Sequence, residues 1–257
     1  MGFSPDWLAL REPVDHASRD PGLLARAAAC APAGATVLDL GSGTGSTARA
    51  FAGATDADWQ WRFVDGERQL LEIAQRQHPG SEQVAMDLRD IDKLPLEGVA
   101  LVTASALLDL MPLAWVSALA QRLQDAGIPF YAALNYNGMM HWSPPHTADT
   151  DVTEAFNTHQ RSDKGIGAAL GPTASDATAR VFDQHGFNVH LGDSPWNLGP
   201  AQAVLHRELL VGIGIAAAEA GYTPAEGWSA HRRADVAQTN GYIGHTDVLA
   251  LPRKAKD

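Results

Sequence analysis

Two kinds of hydrophobic pattern alternate along this chain. Short continuous apolar runs have the length of strands buried on both faces. Between them lie longer stretches in which apolar residues recur every three or four positions, the period of a helix with one buried face. The runs are Ala35–Leu38, Trp59–Asp65, Gln83–Met86, Val99–Ala104, Phe130–Leu134, Phe187–Leu191 and, at the end, Tyr242–Pro252. The helical stretches are Asp20–Ala31, Ser46–Ala54, Glu67–Gln77, Pro112–Asp125, Ala174–His185, Gln202–Ala220 and Trp228–Gln238. Their ends carry stop and start chemistry: Asp20 can cap the helix that Pro21 opens, and Gly127 can close the one ending at Asp125. The alternation predicts an α/β chain with a mostly parallel sheet and helices on both faces. No shift in composition divides residues 1–257, so one domain is expected, with residues 1–33 as an N-terminal helical segment.

The connection after the first run is the most specific feature. Asp39 is followed by Gly41, Ser42, Gly43 and Gly45 within VLDLGSGTGS. Glycines let the backbone turn sharply and let a ligand lie against the main chain. The N–H groups of a following helix would favour an anionic group there. The dinucleotide fingerprint puts its third small residue three positions after the second glycine. Here the third glycine comes two positions after Gly43, and position 46 is Ser.

Asp39-x-Gly41-x-Gly43-x-Gly45 resembles motif I of class I S-adenosylmethionine-dependent methyltransferases. The resemblance covers Thr36 to about Leu134 and the last two strands. It implies a Rossmann-like fold with a seven-stranded, mostly parallel sheet, the last strand antiparallel, and an insertion after strand five. It implies S-adenosylmethionine as cofactor. Asp65, 20 residues after Gly45 and followed by Gly66, takes the place of the acid that holds the ribose hydroxyls. Capping the next helix would be an equally physical role for it. Asp87 and Leu88 fall where the family contacts adenine, although Asp87 could be a solvated turn residue. Ser105 opens the segment that lies beside the transferable methyl group. In related enzymes a basic residue ahead of the sheet pairs with the methionyl carboxylate; Arg11 and Arg19 are candidates, and Arg19 reads more readily as a surface charge.

Residues 135–172 break the alternation and are too long for an ordinary connection, which marks a lid or binding segment. Additions at this place commonly form the acceptor pocket in the family. Tyr136, Trp142, His146, Arg161 and Lys164 are its candidate substrate contacts, the two cations for a carboxylate or phosphate on the acceptor. Pairing with nearby acids and burial in a core are the structural alternatives. Methyl transfer needs positioning and desolvation, plus a base when the acceptor is a hydroxyl or a protonated amine. Asp109, His141 and His159 are the candidate bases. With 10 histidines in the chain, most are structural.

Charge and composition narrow the function. A net charge of −11 argues against a general nucleic-acid binder. No Asn/Asp-Pro-Pro-Tyr string follows strand four, which argues against base methylation. The single cysteine, Cys30, allows no internal disulfide, and no metal-ligand spacing occurs. The early charges at Asp6, Arg11 and Glu12 do not read as a signal peptide, and the apolar stretch Leu209–Ala218 is short for a membrane span. A cytoplasmic enzyme methylating a small molecule at O or N, with no nucleic-acid or membrane partner, is the expectation. A nicotinamide oxidoreductase with an altered glycine loop, or a non-catalytic nucleoside-binding protein of this fold, are the alternatives.

Overall fold

The computed structural model describes residues 4–253. Two helices, α1 (Pro5–Ser18) and α2 (Pro21–Ala28), precede the sheet. Each opens on proline behind a side-chain cap: Ser4 accepts from the Trp7 amide, and Asp20 accepts from the Leu23 amide at 2.7 Å. There follow β1 (Thr36–Leu40), α3 (Ser46–Ala52), β2 (Gln60–Asp65), α4 (Arg68–Gln77), β3 (Glu82–Ala85), β4 (Val99–Ser105) and α5 (Leu113–Ala126). The second half comprises β5 (Phe130–Ser143), α6 (Asp149–Gln160), α7 (Ala174–Gln184), β6 (Phe187–Asp193), β7 (Trp196–Leu198), α8 (Ala203–Glu219), α9 (Ala225–Ala234) and β8 (Asn240–Pro252).

The strands form one sheet in the order β3-β2-β1-β4-β5-β8-β6, with β7 pairing β8 off this path. β1 pairs in parallel with both β2 and β4, so the chain order reverses between β1 and β4. Open α/β sheets bind ligands in the crevice at the carboxyl ends of such strands. β8 runs antiparallel between β5 and β6, as expected. The sheet has eight strands where seven were expected, because β7 adds a short piece beside the start of β8.

A larger departure concerns the insertion. Its first part, Asn135–Ser143, is not a loop but a continuation of β5, paired with the start of β8 from Asn135↔Thr246 to Ser143↔Asn240. This two-stranded ribbon rises beyond the carboxyl edge of the sheet. Helices pack around it to form a second core of Tyr136, Met140, Trp142, Trp196, Leu210 and Trp228, separate from the core beneath the sheet. By composition, Pro200–Glu219 is long and apolar enough to cross a membrane. Its Leu205, Leu210, Ile213 and Ala217 are instead spent on this second core.

Candidate active site

The glycine loop sits at the point where the strand order reverses. Gly41, Gly43 and Gly45 all have positive φ. At Gly43 the φ is 54°, and a Cβ would meet Leu8 of α1 at 3.2 Å. At Gly45 it would meet the His78 ring at 2.9 Å. The third glycine thus makes room for the end of α4, while the second lets α1 lie on the loop. α3 is only seven residues long, and Gly45 gives it no side-chain cap. The expected anion site at its N-terminus therefore has little helix behind it.

The buried polar groups around the loop are more telling. Asp39 lies within β1, where its Oδ1 accepts from Thr103 at 2.8 Å and its Oδ2 has no partner. Burial pushes its carboxyl up to about 6, against the opposing pull of Thr103 and Arg19. Ser42 Oγ is buried and also unpartnered. Arg19 is 4% exposed and donates from Nη2 to Ser105 at 3.1 Å, while its Nε and Nη1 have no partner. Buried donors are rarely left so. A cavity of about 60 Å³ lies between Gly41–Thr44, Leu8, Arg11 and Ser105.

Asp65 stands at the tip of β2 and grips the loop. Its Oδ2 accepts from the Gly43 amide at 2.8 Å and its Oδ1 from Glu67 at 2.9 Å. The cap of α4 is Glu67 rather than Asp65. Burial raises the Asp65 carboxyl above its usual range. Gly66 passes near the Met86 carbonyl at the end of β3. Asp87 is exposed and holds Arg89 through both its amide and its guanidinium, which lowers the carboxyl. The Leu88 carbonyl is taken by Trp115 Nε1 at 2.7 Å.

Across Arg11 and Ala106, which line both spaces, lies a second cavity of about 130 Å³. Trp7, Leu134, Tyr136, Phe156 and Trp196 supply apolar walls. Two of its residues, Ala106 (φ 49°) and Leu134 (φ 58°), adopt left-handed backbone without being glycine. Such strain persists only where the surroundings impose it. Asp109 enters this cavity. Its Oδ1 is fully covered and unpartnered, and burial raises its carboxyl to about 6, opposed by backbone N–H groups, Arg11 and Lys164.

Several other expectations need correction. Arg11 is held by Asp15 at 2.7 and 3.2 Å and lies over the Trp196 ring at 5.0 Å, so its charge is already matched. Arg19, read as a surface charge, is the buried cation with free donors. His141 and Trp142 line a different surface hollow near β7. Trp142 is core, donating to His206 at 3.2 Å and packing edge-on against Trp228. His146 is tied into the turn before α6, its amide donating to Asp149 and its ring facing His231. His159 pairs with Glu219 at 2.9 Å. Lys164 donates to the His159 carbonyl at 3.1 Å, and Arg161 caps α6 on the exposed side. Of the expected substrate contacts only Tyr136 lines the Asp109 cavity, its hydroxyl donating to Asn157 at 2.8 Å. Asn135, Asn137 and Gly138 obscure the period-two alternation beyond Leu134, so this part of β5 looks like loop in the sequence.

Two functional candidates on β8 escaped the sequence reading. His245 lines the Asp109 cavity, with Nδ1 buried and unpartnered; burial and Arg11 push its ring down to about 3, so it is neutral. Asp247, fully buried, accepts from Tyr131 Oη at 2.8 Å, the Leu134 amide at 2.8 Å and the Asp20 amide at 3.1 Å. It clamps the strained residue of the cavity floor to the N-terminal segment. Both stand at alternate positions of HTDVLALP, just ahead of the apolar run that ends β8. That placement is the signal that could have found them.

Residues 37–127 match the family model of the methyltransferase domain. Over that stretch the chain is similar to a methyltransferase domain. The match covers the glycine loop, Asp65, Asp87, Ser105 and Asp109, and ends before the β5/β8 ribbon. No curated protein matches the chain. Among solved structures, a methyltransferase-named protein of Bacillus halodurans C-125 is 14% identical, with 91% of this chain and 99% of that chain covered at a TM-score of 0.53. The cyclopropane synthase MmaA2 of Mycobacterium tuberculosis is 12% identical, covering 96% and 94%, also at 0.53. A geranyl diphosphate methyltransferase is 13% identical, covering 91% and 84%, at 0.50. These likenesses establish that the methyltransferase fold extends over most of the chain.

Proposed function

We propose that this enzyme transfers a methyl group from S-adenosylmethionine to an oxygen or nitrogen of a small-molecule acceptor, with Asp109 as the base. One observation carries the reading. Two cavities meet at Arg11 and Ala106, one built on the glycine loop and the other holding a covered, unpartnered carboxylate oxygen.

The residues in and around the first cavity fit the donor. Arg19 offers two buried, unused N–H directions to a carboxylate, beside Ser105 and Ser42. Asp65 retains lone pairs for ribose hydroxyls beyond the two amides it already accepts. Asp87 and Leu88 lie farther along the same edge, toward the adenine. When bound, S-adenosylmethionine supplies a methyl group already reactive toward a lone pair. The protein then has to exclude water, align the acceptor and take its proton. Apolar walls do the first, and the fixed floor at Ala106 and Leu134 serves the second. Asp109, with its carboxyl near 6, is deprotonated at neutral pH yet basic enough to accept a proton.

α1 covers the loop. Leu8 rests on Gly43, His16 Nε2 lies 3.0 Å from the Ser46 carbonyl, and Glu12 pairs with Arg49 at 2.6 Å. A space of about 60 Å³ is far smaller than a nucleoside. Donor entry therefore goes with withdrawal of α1.

Calorimetric titration with S-adenosylmethionine, S-adenosylhomocysteine and NADH tests the reading. Micromolar binding of the two sulfur compounds with NADH silent is the expected result. NADH binding with the others silent would move the chemistry to hydride transfer.

A further inference from the structure

The acceptor cavity is unusual in how few polar groups it offers and in how its charges are disposed. Most of its lining is aromatic or aliphatic. Its volume, about 130 Å³, is close to the roughly 150 Å³ of an apolar cavity that takes up benzene, and well below the roughly 300 Å³ at which drug-sized sites begin. With α1 in place, supplying Trp7 and Arg11, one six-membered or five-membered ring fills it.

The charges decide what kind of ring. An anion would meet an Arg11 guanidinium that is largely paired, since Asp15 takes its Nε and Nη2 in two hydrogen bonds and Trp196 lies against its face. Asp109 in the same lining would repel one. A cation meets aromatic faces that would otherwise attract it, but it meets the Arg11 guanidinium as well. Lys164 donates to the His159 carbonyl and to Ser162, and neither it nor Arg161 lines the cavity. An anionic occupant would lose its hydration without a free counter-charge, and a cationic one would find only the Asp109 carboxylate, the group proposed as the base.

Two residues lining this cavity each carry a buried polar atom without a partner: Asp109 Oδ1 and His245 Nδ1. They come from different halves of the chain. Tyr136 lies between them in the lining, as the register partner of His245 on β8. The His245 ring is fixed between Trp196, with centroids 5.2 Å apart, and Tyr136 at 6.2 Å.

We propose that the acceptor is an uncharged single-ring molecule with an O–H or ring N–H on Asp109 Oδ1 and a second polar atom on His245 Nδ1. This rests on the methyltransferase reading for its chemistry but not for its binding. In the transfer, a lone pair of the acceptor O or N forms the bond to the methyl carbon. The carbon–sulfur bond breaks with its electron pair going to sulfur, and the acceptor proton passes to the Asp109 carboxylate. His245 is a positioning residue: it fixes the ring in its plane so that the atom facing Asp109 also faces Ala106 and the donor space.

The test is a binding experiment, read by calorimetry and by the fluorescence of Trp7 and Trp196. Phenol and imidazole serve as neutral rings, with benzoate and benzylammonium as anionic and cationic controls. Each is titrated into the free protein and into protein saturated with S-adenosylhomocysteine, at pH 8, where imidazole is neutral. At least one neutral ring should bind tenfold or more tighter than both charged ones. His245→Phe should weaken that ring tenfold or more while S-adenosylhomocysteine affinity stays within twofold. Leu209→Phe, at a half-buried cavity position where folding is less exposed to damage, should abolish ring binding altogether. Charged rings binding as well as neutral ones, or ring binding unaffected by both variants, would overturn the proposal. Failure of S-adenosylhomocysteine to bind would sink the methyltransferase reading alone, because the ring preference is read on the free protein too.

Discussion

The two halves of the site are built in opposite ways. On the donor side Asp39, Gly41, Ser42, Gly43 and Asp65 lie within one strand–loop–helix–strand unit, and only Arg19 and Ser105 arrive from elsewhere. On the acceptor side Trp7, Asp109, Tyr136, Phe156, Trp196 and His245 come from six separate elements, brought together by the β5/β8 ribbon and the helices around it. A ligand common to a family can be held by a local unit that is inherited whole. A ligand particular to one enzyme is held by a surface that many elements must close. The donor side should therefore respond to mutation as independent contacts, and the acceptor side as one coupled unit.

The largest effect expected is on Asp109. Asp109→Asn should lower kcat by about 10²- to 10⁴-fold, the usual worth of a general base, with S-adenosylhomocysteine affinity unchanged. The wild-type rate should climb as pH rises through about 6 and then level, and the Asn variant should lack that rise. Stability moves the other way. Because the folded carboxyl binds its proton more tightly than the unfolded one, the wild type loses stability relative to the variant as pH rises from about 4 to about 6. Denaturant midpoints of the two proteins at pH 4 and pH 7 would check this sign.

Next comes Asp247→Ala, which strips three buried donors of their acceptor at once. A loss of about 3 kcal/mol in unfolding free energy is expected. Since Leu134 is then released, ring binding should fall as well, although Asp247 does not line the cavity. Intact ring binding in a folded variant would show that the two halves of the molecule are less coupled than proposed.

Asp65→Ala should weaken S-adenosylhomocysteine by about 1–3 kcal/mol, through unpaired ribose hydroxyls and a loosened Gly43 amide. Ring affinity should not change; an equal loss for both ligands would erase the contrast between the two halves. The smallest effects belong to His141→Ala and Arg161→Ala, whose side chains lie outside the acceptor cavity. Both should leave kcat/KM within about twofold and stability within about 0.5 kcal/mol. A large rise in the acceptor KM for Arg161→Ala would instead restore an anionic acceptor.

Much of the fold was legible because its signals are local. Continuous apolar runs mark strands covered on both faces, and Asp20-Pro21 and Gly127 mark helix ends whatever lies around them. Motif I was legible for the same reason: its glycines serve backbone angles set within a few residues. Beyond Leu134 the signals conflict. Asn135, Asn137 and Gly138 read as loop, but pairing with Thr246 and its neighbours on β8 satisfies their backbone and makes a strand. That pairing depends on residues more than a hundred positions away, which no local window can weigh.

The sequence alone therefore determined the α/β alternation and the glycine loop, and offered Asp65 and Asp109 as candidates for the donor and the base. Only the tertiary structure decided which cation is left free beside the loop, since Arg11 and Arg19 differ in their partners and not in their chemistry. Likewise, only the fold turned Trp142 into core and His245 into a cavity wall. Burial and the absence of a partner are properties of the packed chain, and they separate a structural polar residue from one kept for a ligand.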